Sequence, residues 1–321
     1  MSAGRGSILV IRGGAIGDFI LTLPVLAALR AQFPACRLEV LGYPHIAQLA
    51  QLGRWADAVH SIEARPLAGF FARQGDLDED LSDYFAGFAL IVSYLYDPDD
   101  IFRENVARCS PAQFVVGPHR PDETLRLHAT EALLKPLERL AIYGADPVPR
   151  LNLELVSGAP ASAQAGAKPE SRSTVALHPG SGSGKKNWPE PNWRELITEL
   201  VAATAWNLLL VGGEAEADRL QRLAALVPEE RLQLAHSLPL GEVARRLAVC
   251  RAFVGHDSGI THLAAAVGLP GLVLWGESNE TVWRPKSERM IVLRAMDGLA
   301  NLSVSTVLSG LSDLLAGSED D

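Results

Sequence analysis

Three clusters in the chain carry residue types whose spacing suits chemistry on a phosphate or a hydroxyl group. The first is Arg251–Gly276, RAFVGHDSGITHLAAAVGLPGLVLWG. It reads as a strand (Ala252–Val254), a tight turn (Gly255–Gly259), a helix from Ile260 to Val267, and a strand (Gly271–Trp275). That is a βαβ unit of a parallel sheet. Asp257 or Ser258 can cap the helix, and Gly259 lets a ligand approach the backbone closely. The free N–H groups at a helix start, at the positive end of its dipole, attract phosphate. His262 lies one turn in and can donate to a diphosphate oxygen. A capped helix with a buried histidine would use the same residues, so the other clusters decide.

The second cluster follows a strand at Thr174–Leu177: His178-Pro179-Gly180-Ser181-Gly182-Ser183-Gly184-Lys185-Lys186-Asn187-Trp188-Pro189. Small residues permit close approach to phosphates, Ser181 offers a hydroxyl, and Lys186 supplies charge. The loop is not a Walker motif, because neither lysine is followed by Ser or Thr. Further on, Asn207–Val211 reads as a buried strand ended by two glycines. Glu216 then opens a helix, where its carboxylate suits ribose hydroxyls or simply complements the helix dipole.

The third cluster is near the N-terminus. Ser7–Ile11 is a continuous apolar run, hence a buried parallel strand. The loop Arg12-Gly13-Gly14-Ala15-Ile16-Gly17-Asp18 leads into an expected helix over Phe19–Phe33, with Pro24 tolerated near its first turn. Asp18 is at the carboxyl end of the first strand, where open α/β sheets meet their ligands. It can serve as a general base toward a hydroxyl, or as a helix N-cap. A dinucleotide fingerprint fails here. Arg12 stands where its first glycine belongs, and the only acidic residue of the second strand (Arg37–Leu41), Glu39, lies inside it. A nicotinamide oxidoreductase is therefore a poorly supported rival.

The elements that position these clusters alternate strand and helix twice. In the first half, strands are expected at Ala58–Ile62, Ala89–Ser93 and Gln113–Val116, and a helix over Thr124–Tyr143. The acidic run Asp76–Asp80 reads as a solvated helix start or loop. Tyr94–Asp100 follows a strand and can line a cleft, while Arg103, Arg108, Arg120 and Arg126 are scattered. The Ala/Ser/Gly/Pro-rich stretch Ser157–Ser173 reads as an exposed, mobile linker. In the second half, helices are expected at Pro191–Ala203, Leu240–Cys250 and Val304–Leu315, ahead of a frayed acidic tail, Gly317–Asp321. This predicts an N-terminal domain over 1–156, a linker over 157–173, a second domain over 174–302, and a terminal helix and tail over 303–321. The fold class is α/β: two doubly wound, Rossmann-like parallel-sheet domains facing a central cleft.

Composition narrows the partners. The 321 residues suffice for two domains with their own cores. A net charge of −9 argues against a nucleic-acid partner. Cys36, Cys109 and Cys250 are far apart and form no CxxC pair, so neither a disulfide framework nor a zinc site is expected. The stretch MSAGRGSILVIRGGAIGD does not fit a secretory signal peptide. No apolar run reaches the length of a membrane span.

Taken together, ILVIRGGAIGDFILTLPVLAALR, LHPGSGSGKKNWPEPNW and FVGHDSGITHLAAAVGLPGLVLWG resemble the three motif blocks of glycosyltransferase family 9. That family includes the ADP-heptose:lipopolysaccharide heptosyltransferases. The resemblance implies a GT-B fold, with the N-terminal domain for the acceptor and the C-terminal one for the nucleotide-sugar. It implies inverting transfer without a metal or other cofactor, in the cytoplasm at the inner membrane face. The donor would be ADP-heptose and the acceptor a lipopolysaccharide core or related glycan. It assigns Asp18 as general base, and Lys186 and Ser181 to the donor phosphates. Glu216 falls near the ribose, and Asp257, Ser258, Gly259 and His262 around the diphosphate. The GSGSG loop is more glycine-rich than in heptosyltransferases proper, which leaves another ADP- or UDP-linked sugar, or a non-lipid acceptor, open. A non-catalytic nucleotide-sugar-binding protein is the alternative from another class.

Overall fold

A computed structural model describes residues 6–153, 173–182 and 184–316. The chain divides into two compact units, Met1–Leu151 and Asn152–Asp321. The expected linker, apart from Ser173, and the acidic tail lie outside the described residues.

The first unit runs β1 (Ser7–Arg12), α1 (Ile16–Ile20), α2 (Leu23–Gln32), β2 (Arg37–Gly42), α3 (Pro44–Leu52), β3 (Ala58–Ser61), α4 (Glu79–Ala86), β4 (Leu90–Ser93), α5 (Ile101–Ala107), β5 (Gln113–Val116) and α6 (Ala129–Leu134). Its sheet has the order β3-β2-β1-β4-β5, and every pairing is parallel. The central strands β1 and β4 are built on the apolar runs Ile8–Ile11 and Leu90–Val92, as expected where helices and loops cover both faces. Leu9, Ile11 and Ile91 pack with Phe70, Phe85 and Phe102 on one face.

Two expected helices are broken, each at a proline and the second also at Arg126, whose φ of 51° is left-handed. The helix expected over Phe19–Phe33 is α1 and α2, parted at Leu21 and Thr22. Pro24 has no N–H to give the Ile20 carbonyl, and its ring would collide with it, so the helix restarts with Pro24 in its first turn. The helix expected over Thr124–Tyr143 is a short 3-10 turn at Glu123–Leu125, then α6, then a 3-10 segment at Lys135–Leu140 containing Pro136.

The second unit runs β6 (Thr174–His178), α7 (Glu190–Ala203), β7 (Asn207–Gly212), α8 (Ala217–Ala224), β8 (Leu232–His236), α9 (Leu240–Ala248), β9 (Ala252–His256), α10 (Gly259–Ala266), β10 (Gly271–Leu274), α11 (Glu280–Trp283), β11 (Met290–Leu293) and α12 (Val304–Ala316). Its sheet has the order β11-β10-β9-β6-β7-β8, again parallel throughout. Trp193, Leu196, Ile197 and Leu200 form the buried stripe of α7 against Val175, Leu177, Leu208 and Leu210. The terminal helix α12 buries Val304, Val307, Leu311 and Leu315. It packs on α7 and β10, as part of the second unit.

Both sheets are doubly wound. Strand order reverses between β1 and β4 in the first unit and between β6 and β9 in the second. The crevice outside the carboxyl ends of such a pair of strands is where open α/β sheets take ligands. No helix among the described residues is long and apolar enough to cross a membrane.

Candidate active site

In the first unit, the β1–α1 loop carries Asp18 at the third position of α1, with Ala15 as N-cap. The carboxylate is therefore not an N-cap, as one reading of the sequence had it. It folds back so that Oδ2 accepts from the Ala15 N–H at 2.9 Å. Its other oxygen lies 3.5 Å from Nη2 of Arg12. The side chain of Asp18 is 32% exposed and that of Arg12 only 3%. Arg12 ends β1 and is clamped across the reversal point. Its Nη1 donates to the His119 carbonyl at 2.7 Å and is 3.5 Å from that of Tyr94. Its Nη2 lies 3.4 Å from the Asp18 carbonyl. Burial lowers the guanidinium's pKa and the nearby Asp18 opposes this, yet an arginine stays charged in a protein. Gly14 permits the loop to turn at φ +100°, and a Cβ there would sit 2.9 Å from Oδ2 of Asp18.

In the second unit, the strand ends of β6, β7 and β9 bring the remaining expected residues to one edge. Nζ of Lys186, after β6, lies 2.5 Å from Oδ2 of Asp257, after β9. The lysine side chain is 41% exposed and the aspartate 8%. The pair thus bridges the two strands between which the order reverses. Of the two cap candidates it is Ser258 that caps α10, its Oγ accepting from the Thr261 N–H at 3.3 Å. Gly259 begins the helix, and His262 is buried one turn in, its N–H donating to the Ser258 carbonyl at 3.2 Å. Ser181 bonds the side chain of Asn187 at 2.7 Å. Glu216 lies at the N-cap of α8 and accepts from the Gly213 N–H at 3.0 Å. It presses so closely on Gly180 that a Cβ there would meet its Cγ at 2.4 Å.

Arg12 and His256 are the residues that sequence reasoning missed. His256 ends β9 and is fully buried. Its Nε2 accepts from the Trp188 N–H at 2.8 Å, and its Nδ1 faces the Gly180 carbonyl at 3.1 Å. A carbonyl only accepts, so the proton is on Nδ1 and the ring is neutral. Burial holds its pKa down at about 4 and that of the neighbouring His178 at about 3. One imidazole therefore staples both ends of the loop that presents Lys186. Arg219 adds a bond to the Pro179 carbonyl at 2.7 Å, and Trp188 Nε1 one to the Leu302 carbonyl at 2.8 Å.

A cation held at a strand reversal, beside a serine-capped helix start, has the chemistry to bind an anion. Comparison with known proteins gives the family. Residues 113–307 match the model of glycosyltransferase family 9 (heptosyltransferase). The chain belongs to glycosyltransferase family 9. It is 30% identical over 301 residues to lipopolysaccharide heptosyltransferase 1 of Pseudomonas aeruginosa, covering 85% of this chain and 79% of that one. Among solved structures it resembles E. coli ADP-heptose lps heptosyltransferase II, with a TM-score of 0.76 at 17% identity, covering 98% and 99% of the two chains. It also resembles E. coli heptosyltransferase WaaC with ADP, with a TM-score of 0.73 at 19% identity over 96% and 99%. At these identities the structures establish the fold, which is the GT-B fold expected from the sequence. As a family 9 member the chain is a glycosyltransferase.

Proposed function

We propose that this family 9 enzyme moves a heptose from ADP-heptose onto a lipopolysaccharide-core or related glycan acceptor, with inversion at the anomeric carbon. The observation that carries the reading is the Lys186–Asp257 pair set across the β6/β9 reversal next to the Ser258-capped start of α10. Cation, helix dipole and free N–H groups there converge on the place a diphosphate would occupy.

The proposed step is a single displacement. Asp18 takes the proton of an acceptor hydroxyl as its oxygen attacks the anomeric carbon. The bond from that carbon to the diphosphate oxygen breaks, and the electron pair leaves with ADP. Arg12 and the Ala15 N–H fix the carboxylate's orientation, a prerequisite for general-base catalysis. Lys186, His262 and the N–H groups at Ser258 and Gly259 stabilise the charge that grows on the leaving diphosphate. Asp257 acts through Lys186, Ser181 shapes the phosphate loop through Asn187, and Glu216 receives the ribose hydroxyls. No metal ion is needed in this scheme, so a chelator leaves the rate unchanged. Association with the inner membrane would follow from a lipid-linked acceptor.

The test is release of nucleoside diphosphate from a panel of ADP- and UDP-linked sugars, with and without lipopolysaccharide from a heptose-deficient strain. Acceptor-dependent ADP release, with an inverted anomeric centre in the product by NMR, supports the proposal. Sugar-nucleotide binding without acceptor-dependent release would replace it with a non-catalytic binding protein.

A further inference from the structure

Tyr96 is 70% exposed, and its ring meets that of His119 edge-on at 4.6 Å between centroids and 61° between planes. An exposed tyrosine is common, but this one is held from both sides. Two residues earlier, Tyr94 is fully buried and its hydroxyl donates to the Leu133 carbonyl at 2.6 Å. One residue later, the Asp97 carboxylate accepts from the N–H groups of Phe102 and Arg103 at 3.2 and 3.0 Å. His119 is fixed as well. Its carbonyl takes the Arg12 guanidinium, and the turn before it closes on the Tyr94 ring so tightly that a Cβ on Gly117 would lie 2.2 Å from Cε1.

The two rings follow β4 and β5, at the carboxyl edge and on the same side of β1 as the strand reversal. The continuous path Tyr96–His119–Arg12–Asp18 ties them to the carboxylate. An exposed aromatic pair whose position is settled in advance offers contact area at little entropic cost. The C–H face of a pyranose is apolar and its rim is hydroxylated, which suits a ring face bordered by a phenol and an imidazole.

The geometry points to Tyr96 and His119 as a stacking platform for a sugar ring of the acceptor, a specificity subsite one arginine away from Asp18. This deepens the transferase reading and rests on it for the identity of the reaction. The platform selects the acceptor and leaves the donor to the second unit.

The test compares wild type, Tyr96→Ala, Tyr96→Phe and His119→Ala in the full chain. The probe is delipidated core oligosaccharide from a heptose-deficient strain, with ADP-heptose as donor. Tyr96→Ala and His119→Ala should raise the acceptor KM about tenfold, with a much smaller change in kcat. Tyr96→Phe should raise the acceptor KM by less than Tyr96→Ala does, since the ring remains and only the phenol hydroxyl is lost. Affinity for ADP, by calorimetry, should match wild type in all variants. Binding of the oligosaccharide alone, by saturation-transfer NMR, needs no turnover and separates the two claims. Binding lost in Tyr96→Ala but present in wild type supports the platform even if no sugar is transferred, an outcome that defeats the transferase reading alone. Equal binding in both proteins, or none in wild type, overturns the platform.

Discussion

The ammonium of Lys186 sits 2.5 Å from the carboxylate of Asp257, a lysine from the end of one central strand paired with an aspartate from the end of its neighbour. The aspartate is almost wholly buried and the lysine is not. The pair therefore points a cation outward from a fixed base. Under the proposed function, a diphosphate arriving there would meet a preplaced charge, with little side-chain ordering left to do. Replacing Lys186 with Ala should weaken ADP binding by about ten- to a hundredfold, the range for a charge-assisted hydrogen bond. Asp257→Asn should also weaken it, by less, because the charge remains but its aim is lost. Calorimetric titration with ADP measures both, and unchanged affinity in Lys186→Ala removes the residue from the donor site.

The carboxylate of Asp18 is oriented by one cation and one backbone N–H. Asp18→Asn preserves the shape and removes the base. Turnover should fall ~10²- to 10⁴-fold, with ADP affinity retained. Acceptor-dependent ADP release is the readout. A variant with turnover near that of wild type would mean that another group takes the proton.

Gly14 tests the same orientation without touching the carboxylate. Its φ is +100°, and a methyl group there would press on Oδ2 of Asp18. Gly14→Ala should cost about 1 kcal/mol or more of stability. It should also lower kcat more than the acceptor KM, because the reacting oxygen is displaced. Thermal denaturation and steady-state kinetics on the one variant separate the two effects.

His178 and His256 give the second unit a pH dependence. Both are neutral when folded, with pKa values near 3 and 4 and a cause in burial. Unfolded histidine titrates near 6.5, so below that pH the unfolded chain binds protons that the folded chain refuses. Their contribution to stability is thus full above about pH 6.5 and is lost as pH falls toward 4 and then 3. The melting temperature should drop through that window. In His256→Gln the drop should be shallower, and a slope identical to wild type would assign it to other groups.

Much of the architecture was legible in the chain. The buried strands at Ser7–Arg12, Asn207–Gly212 and Ala252–His256 are built on the apolar runs Ile8–Ile11, Leu208–Val211 and Ala252–Val254, the pattern of strands covered on both faces. The strands β8 and β11 were not read. They form the edges of their sheet: the polarity of β8, with Gln233 and His236, carries no buried-strand signal, and β11, although apolar, is a run of only four residues, Met290–Leu293. The breaks at Pro24 and Pro136 were visible in principle but were outweighed by apolar periodicity. The roles of Arg12 and His256 had no local signature. Arg12 acts on a carbonyl 107 residues away, and His256 on groups 76 and 68 residues away, so only the folded chain reveals them.

His256 has one more consequence. An imidazole N–H sealed from water against a backbone oxygen exchanges slowly, and its proton resonates well downfield of the amide envelope. The protein thus carries an intrinsic, label-free spectroscopic reporter of its phosphate loop, one signal whose persistence or broadening records whether Gly180 and Trp188 keep their places during turnover.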